Sequence, residues 1–105
     1  MANGKEVRET KRVRNEILVA LTVVYPAALQ SEHVLRSLLV LFPALEFEQL
    51  KRDLHYLSEK GYVERVLTEP ERDGELTPWR RRWFRLTTHG IELADRCIND
   101  PALQE

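Results

Sequence analysis

The sequence contains a single cysteine, Cys97, and four glycines among its 105 residues. One cysteine cannot form an intrachain disulfide, so a disulfide-stabilised fold is excluded. The longest apolar runs, such as Ile17–Leu21 and Leu38–Phe42, are far shorter than the roughly 20 residues of a membrane-spanning helix. The charged N-terminus also lacks the apolar core of a signal peptide. We therefore expect a cytoplasmic protein that folds as one domain.

The sequence also lacks the patterns of an enzyme or of a metal site. Three histidines and the cysteine stand on four different predicted elements, at His33, His55, His89 and Cys97. No pair of them has the spacing of metal ligands within one helix or hairpin. No serine or cysteine lies in a nucleophile motif, and no glycine-rich loop is present to hold a phosphate. We therefore expect neither catalysis nor a cofactor nor a bound metal.

The balance of charge excludes nucleic-acid binding through bulk charge alone, because 16 basic and 17 acidic residues leave a net charge of −1. The basic residues instead cluster in two places. The N-terminal cluster consists of Lys5, Arg8, Lys11, Arg12 and Arg14. The second cluster has no acid from residue 79 to residue 85 and consists of Arg80, Arg81, Arg82 and Arg85. Residues 64–75, between the clusters, are mainly acidic, so any nucleic-acid contact must come from local patches.

The spacing of apolar residues predicts three helices in the first 60 residues. The first helix is expected over about 9–24, because Pro26 disfavours helix at the residue before it. A very short strand is expected at Leu29 and Gln30, and Ser31 is expected to cap a second helix that Pro43 ends. The third helix is expected over 46–60, with a buried stripe of Phe47, Leu50, Leu54 and Leu57. Gly61 is expected to be left-handed just past its end.

The period then changes to that of strands. Residues 62–68 and 79–87 are rich in β-forming residues and are joined by a polar loop with turn residues, which predicts a β-hairpin. Thr87 or Thr88 is expected to cap a last helix, whose apolar residues are Ile91, Leu93, Ala94, Cys97 and Ile98. The expected fold class is α+β, in the order α, short β, α, α, β, β, α.

That order is the winged helix-turn-helix arrangement, a three-helix bundle with a β-hairpin wing and a C-terminal helix. The stretches LKRDLHYLSEKGYVERV and FRLTTHGIELAD resemble the recognition helix and the closing strand of MarR-like and PadR-like transcription regulators. The sequence is also similar in length and spacing to small winged-helix proteins of Mu-like bacteriophages. The resemblance implies a winged-helix domain over 13–98, after a basic arm over 1–12 and before a short tail over 99–105.

The resemblance implies that the third helix enters the major groove of DNA. Its expected DNA contacts are Gln49, Lys51, Arg52 and His55. Their side chains suit this role, since amide and guanidinium groups read base edges and an ammonium group binds phosphate. Acids share or border the same predicted face, at Glu46, Glu48, Asp53 and Glu59. A solvated or protein-binding face therefore remains an open alternative.

The hairpin, or wing, over 63–86 carries the second basic cluster. Alternation along its second strand predicts that Phe84 and Leu86 point inward. The outward face is expected to be a ladder of alternating indole and guanidinium groups, formed by Trp79, Arg81, Trp83 and Arg85. Arg80, Arg81, Arg82 and Arg85 are expected to bind the DNA backbone or the minor groove. Alternatively, the arginines pair with the acids of the loop, and Trp83 covers Val63 or Arg65 across the hairpin.

Two functions remain open. The first is a dimeric winged-helix protein that binds double-stranded DNA and regulates transcription. The alternative is a winged-helix protein–protein interaction module, of the kind a phage or prophage carries as an accessory protein, without DNA binding of its own. Candidate interface residues are Trp79 and Trp83 for a protein partner, and Ile91, Cys97 and Ile98 for a second subunit.

Overall fold

The structure is a computed structural model that describes residues 4–99, and the side chains of residues 9–96. It contains the helices α1 (Gly4–Val24), α2 (Ser31–Leu39), α3 (Phe47–Glu59), α4 (Glu69–Arg72) and α5 (Thr88–Asn99). The strands are β1 (Leu29–Gln30), β2 (Val63–Val66) and β3 (Trp83–Leu86), and a 3₁₀ turn covers Trp79–Arg81. No helix within the described residues combines the length and the apolar composition needed to cross a membrane.

The three strands form one antiparallel sheet in the order β1-β3-β2. β3 lies in the centre, with Phe84 opposite Leu29 on one side and opposite Arg65 on the other. This sheet and the helices α1, α2, α3 and α5 confirm the predicted α+β winged-helix fold. The two-residue strand β1 was also predicted correctly, and it holds the start of α2 against the wing.

The core forms where the apolar spacing predicted it. Val13, Ile17 and Leu21 of α1 are buried, and so are Leu50 and Leu54 of α3. The inward side chains of β3, Phe84 and Leu86, are each 2% exposed, as alternation along the strand predicted. Each such side chain stabilises the fold by about 1.5–3 kcal/mol relative to an exposed position.

Helix α1 begins at Gly4, five residues before the predicted start near Glu9. The prediction began the helix close to its first buried residue, Val13. The preceding lysine, glutamate and arginine residues have high helix propensity, so the helix extends without an apolar stripe. Most of the predicted arm over 1–12 therefore has a helical backbone. The side chains of Lys5 and Arg8 lie outside the described residues.

Helix α2 differs from its prediction at both ends. Ser31 is its first residue rather than its cap, and Gln30 stands at the cap position without a side-chain hydrogen bond. The Ser31 hydroxyl donates instead to the backbone oxygen of Trp79, and its backbone N–H donates to Arg82 O at 2.9 Å. Ser31 is completely buried, so its hydroxyl needs a partner and finds one in the wing. The helix ends at Leu39, before Pro43.

Helix α3 ends as predicted. Gly61 has a φ of +79°, in the left-handed region that glycine adopts without a steric penalty. The backbone N–H of Gly61 donates to Ser58 O, and that of Tyr62 donates to Leu57 O, both at 3.0 Å. These two bonds are a Schellman motif, which satisfies carbonyls at the helix end. They turn the chain directly into β2.

The residues Leu86, Thr87 and Gly90 join β3 to α5. The Thr87 hydroxyl accepts a hydrogen bond from Gly90 N at 3.1 Å and donates to Gly61 O at 2.5 Å. Thr87 therefore caps α5, one of the two predicted caps. Gly90 passes so close to Tyr62 that a Cβ at this position would lie 1.9 Å from Tyr62 O. The Leu-Thr-x-x-Gly pattern thus locks α5 onto the end of α3.

The wing is more structured than the predicted hairpin with a polar loop. β3 begins only at Trp83, and the residues from Trp79 to Arg81 form a turn. The loop contains the short helix α4, which Thr68 and Glu71 stabilise with a capping box. Glu71 also pairs with Arg65 of β2 and leaves only 4% of its side chain exposed. The loop is therefore fixed to the strand.

Candidate nucleic-acid interface

A groove of about 880 Å³ lies between α3 and the residues 79–82, which we call the wing base. Its lining consists of Glu48, Lys51, Arg52, His55, Tyr56, Glu59, Lys60, Trp79 and Arg82. Four of the predicted DNA contacts line it together: Lys51, Arg52, His55 and Arg82. The fold thus brings cations from two distant parts of the sequence to one concave surface.

Trp79 forms part of one wall of this groove. Its ring stacks on Phe84 with 5.6 Å between centroids and 18° between planes. Lys51 Nζ lies 5.4 Å and Arg82 Cζ 4.8 Å from the centroid of the indole. A cation at this distance is attracted by the negative face of the ring. Trp79 therefore connects the core to two cations of the groove.

The predicted ladder of Trp79, Arg81, Trp83 and Arg85 on one outward strand face is wrong. Residues 79–81 are not part of the strand, so side chains do not alternate across them. Trp79 is half-buried against Phe84, because a stacked indole removes more apolar surface from water than an exposed one. Trp83 is also half-buried and lies opposite Val66 and Gln30, rather than opposite Val63 or Arg65.

The arginines of the wing base have different surroundings. Arg82 donates from Nε to Thr77 O at 3.0 Å, which fixes its guanidinium beside Trp79. The guanidinium of Arg80 lies 4.4 Å from the centroid of Phe47 at the start of α3. Arg81 is exposed, and its backbone oxygen accepts a hydrogen bond from Gln30 Nε2 at 3.3 Å. Of the wing-base arginines, Arg82 is thus held in place and Arg81 faces solvent.

The acids of the loop do not neutralise this cluster. Glu71 pairs with Arg65, and Glu69 pairs with Arg72 at 3.2 Å. Among the described residues, no ion pair involves residues 80, 81 or 82. Burial, and then the nearby positive charge of Arg82, lower the pKa of Arg65 below its ordinary value. The alternative in which the loop acids pair with these arginines is therefore not what the described structure shows.

Four predicted DNA contacts do not line the groove: Arg80 and Arg81 belong to the wing base, whereas Arg85 and Gln49 lie apart from it. Arg85 pairs with Glu64 directly across the hairpin, with 2.5 Å between Nε and Oε1. It borders a different depression, next to Tyr25 and Pro26. Gln49 is half-buried on α3 and does not line the groove. The structure therefore does not bring these two residues together with Lys51, Arg52, His55 and Arg82.

Asp53 was predicted to lie on the exposed face of α3, and this is wrong. It is 3% exposed and accepts a hydrogen bond from Arg14 Nε of α1 at 3.0 Å. Burial raises the pKa of the Asp53 carboxyl, although the charges of Arg14 and Arg52 act against this rise. The spacing contained the signal, because Asp53 stands three residues after Leu50 and four before Leu57. One acid is thereby removed from the groove face.

Arg14, which binds Asp53, also packs against the ring of Tyr56 at the groove. The guanidinium of Arg14 lies 3.7 Å from the centroid of Tyr56, and Lys60 Nζ lies 5.7 Å from it. Of the acids that line the groove, Glu59 pairs with His55 one turn away, while Glu48 stands near the other end. The groove is thus basic and aromatic with two acids, and neither Tyr56 nor Lys60 was among the predicted DNA contacts.

The candidate dimer residues lie on α5. Ile91 is half-buried and borders a shallow depression with Thr22, Glu92 and Asp95. The side chains of Cys97 and Ile98 lie outside the described residues. Within the described residues, no group of three or more histidine, cysteine or acidic side chains is arranged to hold a metal ion.

No protein-family model and no curated protein matches the chain. Two crystal structures of MarR from E. coli match it. A cysteine-to-serine mutant of MarR is 20% identical with a TM-score of 0.62, over 87% of this chain and 58% of the MarR chain. The apo form of wild-type MarR is 20% identical with a TM-score of 0.54, over 99% of this chain and 81% of that one.

The chain therefore spans less than two thirds of the length of the mutant MarR chain. The resemblance to phage proteins stays a prediction. At this level of identity the likeness concerns the fold, and together with the strand order and the helices it makes the chain a MarR-like winged helix.

Proposed function

We propose that the chain binds double-stranded DNA and regulates transcription, with α3 in the major groove and the wing base on the adjacent backbone or minor groove. The observation that supports this most is the groove itself. Lys51 and Arg52 of α3 and Arg82 of the wing base line it, and no described ion pair neutralises them. A duplex presents phosphates beside the major groove, so cations on both elements suit it.

The residues of the groove have distinct proposed roles. Arg52 and His55 are exposed on the middle of α3, where they can reach base edges. Lys51 and Arg82 lie against Trp79 in the wall of the groove, where they can reach phosphates. The burial of Asp53 supports DNA binding by α3, because it removes one negative charge from the surface that would face DNA.

The fold likeness to MarR supports the proposal at the level of architecture. The sequence resemblance to MarR-like and PadR-like regulators implies the same activity. We further propose a cytoplasmic homodimer that pairs through α5, because two half-sites would add the affinity that a chain of net charge −1 lacks.

The test is fluorescence anisotropy of a labelled random duplex, at low and at physiological salt, with wild type and two double variants. Arg52→Ala/Arg81→Ala removes two exposed cations, one from α3 and one from the wing base. Arg36→Ala/Arg72→Ala removes the same charge from α2 and α4, away from the groove lining. We expect the first variant to lose most of the binding and the second to retain it.

The salt dependence provides a second readout. Binding through several phosphates should weaken steeply with salt, with a slope of about −0.9 per phosphate in a plot of log affinity against log salt concentration. Wild type that shows no binding even at low salt would contradict the proposal. The protein-interaction alternative would then be tested by pull-down with Trp79→Ala and Trp83→Ala variants.

A further inference from the structure

Lys51 and Arg82 lie 31 positions apart in the sequence and meet on the same indole ring. Lys51 Nζ is 5.4 Å and Arg82 Cζ is 4.8 Å from the centroid of Trp79. Phe84 stacks against the indole. Lys51, Trp79 and Arg82 all line the groove. The two cations therefore approach one ring from the side of the groove.

The surroundings hold both cations in place. Arg82 uses Nε to donate to Thr77 O at 3.0 Å, which leaves the terminal nitrogens of its guanidinium as further donors. Lys51 is half-buried on α3, so its long side chain lies along the groove wall rather than in bulk water. Trp79 itself is anchored twice, through its ring by Phe84 and through its backbone oxygen by Ser31.

Two positive charges that lie against one ring and line one groove raise the positive potential there and favour an anion. Among the described residues, neither Lys51 nor Arg82 takes part in an ion pair. The acid nearest along the chain from Arg82, Glu75, is exposed, and Glu71 is occupied by Arg65. The site is therefore suited to an anion supplied from outside.

We propose that Lys51 and Arg82 bind one and the same DNA phosphate, and that Trp79 positions both cations for it. This rests on the proposed function. A phosphate has two non-bridging oxygens, so it accepts hydrogen bonds from an ammonium and a guanidinium group at once. Such a shared phosphate would fix α3 and the wing base in one register on the duplex, because contacts to the DNA backbone set the position of a protein along the duplex.

The experiment measures the salt dependence of duplex binding for Lys51→Ala, Arg82→Ala and the double variant. If the cations share one phosphate, the double variant loses one phosphate contact, and its slope becomes shallower by about 0.9. Each single variant then changes the slope by less, since the remaining cation still neutralises the phosphate. The control is Lys51→Ala/Arg36→Ala, which removes the same charge from α2, away from the groove lining, and should keep the slope of Lys51→Ala alone.

The contrary results are equally definite. A double variant whose slope becomes shallower by about 1.8, with about 0.9 from each single variant, means two separate phosphates and overturns this inference only. A slope unchanged in the double variant also overturns it, because neither cation then contacts the backbone. Wild type without salt-dependent binding overturns the proposed function as well.

The positioning role of Trp79 has its own readout. In a Trp83→Phe background Trp79 is the sole tryptophan, and a phosphate bound by its two cations should change its fluorescence when a saturating duplex is added. Trp79→Phe keeps an aromatic ring and should retain most of the affinity, whereas Trp79→Leu, if folded by circular dichroism, should lose it. Unchanged fluorescence, or wild-type affinity in Trp79→Leu, would overturn the role.

Discussion

Nε of Arg14 lies 3.0 Å from Oδ1 of Asp53, and this contact joins α1 to the buried side of α3. The same guanidinium stacks 3.7 Å from the centroid of Tyr56, which lines the groove. Oδ2 of Asp53 is buried without a hydrogen-bond partner. The proposed recognition helix is therefore held by a carboxylate that is only partly satisfied, and such a group makes the stability depend on pH.

The variant Asp53→Asn should reveal that dependence. Burial raises the pKa of Asp53 above 3.8 in the folded chain, so the folded chain holds this proton more tightly than the unfolded chain. The contribution of Asp53 to the free energy of unfolding should then fall as pH rises from 3.8 through the raised pKa, by roughly 1.4 kcal/mol for each pH unit by which the pKa is raised.

Asp53→Asn lacks this titration, so its stability relative to wild type should rise over that pH window and stay constant above it. Urea unfolding of both proteins between pH 3.5 and 7 measures the difference. A relative stability that falls with rising pH would mean that the contact with Arg14, rather than burial, dominates the pKa of Asp53.

Gly90→Ala should destabilise the fold strongly. The new Cβ would lie 1.9 Å from Tyr62 O and 3.0 Å from a methyl carbon of Leu86. Because the obstacle is backbone, α5 must shift away from the end of α3, and we expect a loss of about 2–3 kcal/mol. His89→Ala, at the exposed neighbouring position, is the control and should change the stability little. Chemical denaturation compares the two, and equal stabilities would show that α5 can move without cost.

Glu71→Ala should loosen the wing. The side chain of Glu71 is 4% exposed, pairs with Arg65 and completes the capping box of α4. Its removal leaves Arg65 without this partner, and we expect a loss of about 2–3 kcal/mol. Glu69→Ala breaks only the exposed pair with Arg72, which contributes about 0–1 kcal/mol. Denaturation and amide hydrogen exchange of residues 67–78 measure both, and an equal effect of the two variants would contradict the role of Glu71.

Glu48→Gln should increase the affinity for DNA. Glu48 lines the groove, and its negative charge would oppose the approach of phosphates. We expect duplex binding to tighten by about threefold to tenfold at low salt, and the gain to shrink as salt screens the charge. Glu9→Gln on α1 makes the same charge change outside the groove lining and should leave the affinity unchanged. Weaker binding by Glu48→Gln would mean that this end of α3 does not face DNA.

The helices and the core could be predicted because local spacing reports burial. The stripe of Leu50, Leu54 and Leu57 and the left-handed Gly61 follow from helical period and glycine geometry, and both are confirmed. Asp53 was misplaced although its spacing matched the stripe, because a carboxylate is expected on the surface. Its burial depends on Arg14, which stands 39 positions earlier.

For the candidate site, the sequence predicted which residue types take part but not how they are arranged. Four arginines near two tryptophans indicated a binding surface, and alternation along a strand predicted an outward ladder of Trp79, Arg81, Trp83 and Arg85. The tertiary structure decided otherwise: Trp79 leaves the strand to stack on Phe84, and its backbone accepts the Ser31 hydroxyl.

The sequence by itself thus determined the winged-helix architecture, since the periods of 3.6 and 2 and the left-handed Gly61 act locally. Only the tertiary structure decided which cations meet at the groove. Lys51 and Arg82 meet at the Trp79 ring because the sheet order β1-β3-β2 and the contact of Ser31 place the wing base against α3. Such long-range packing is stabilised by burial of the Trp79 and Phe84 rings, and no local pattern of residues reports it.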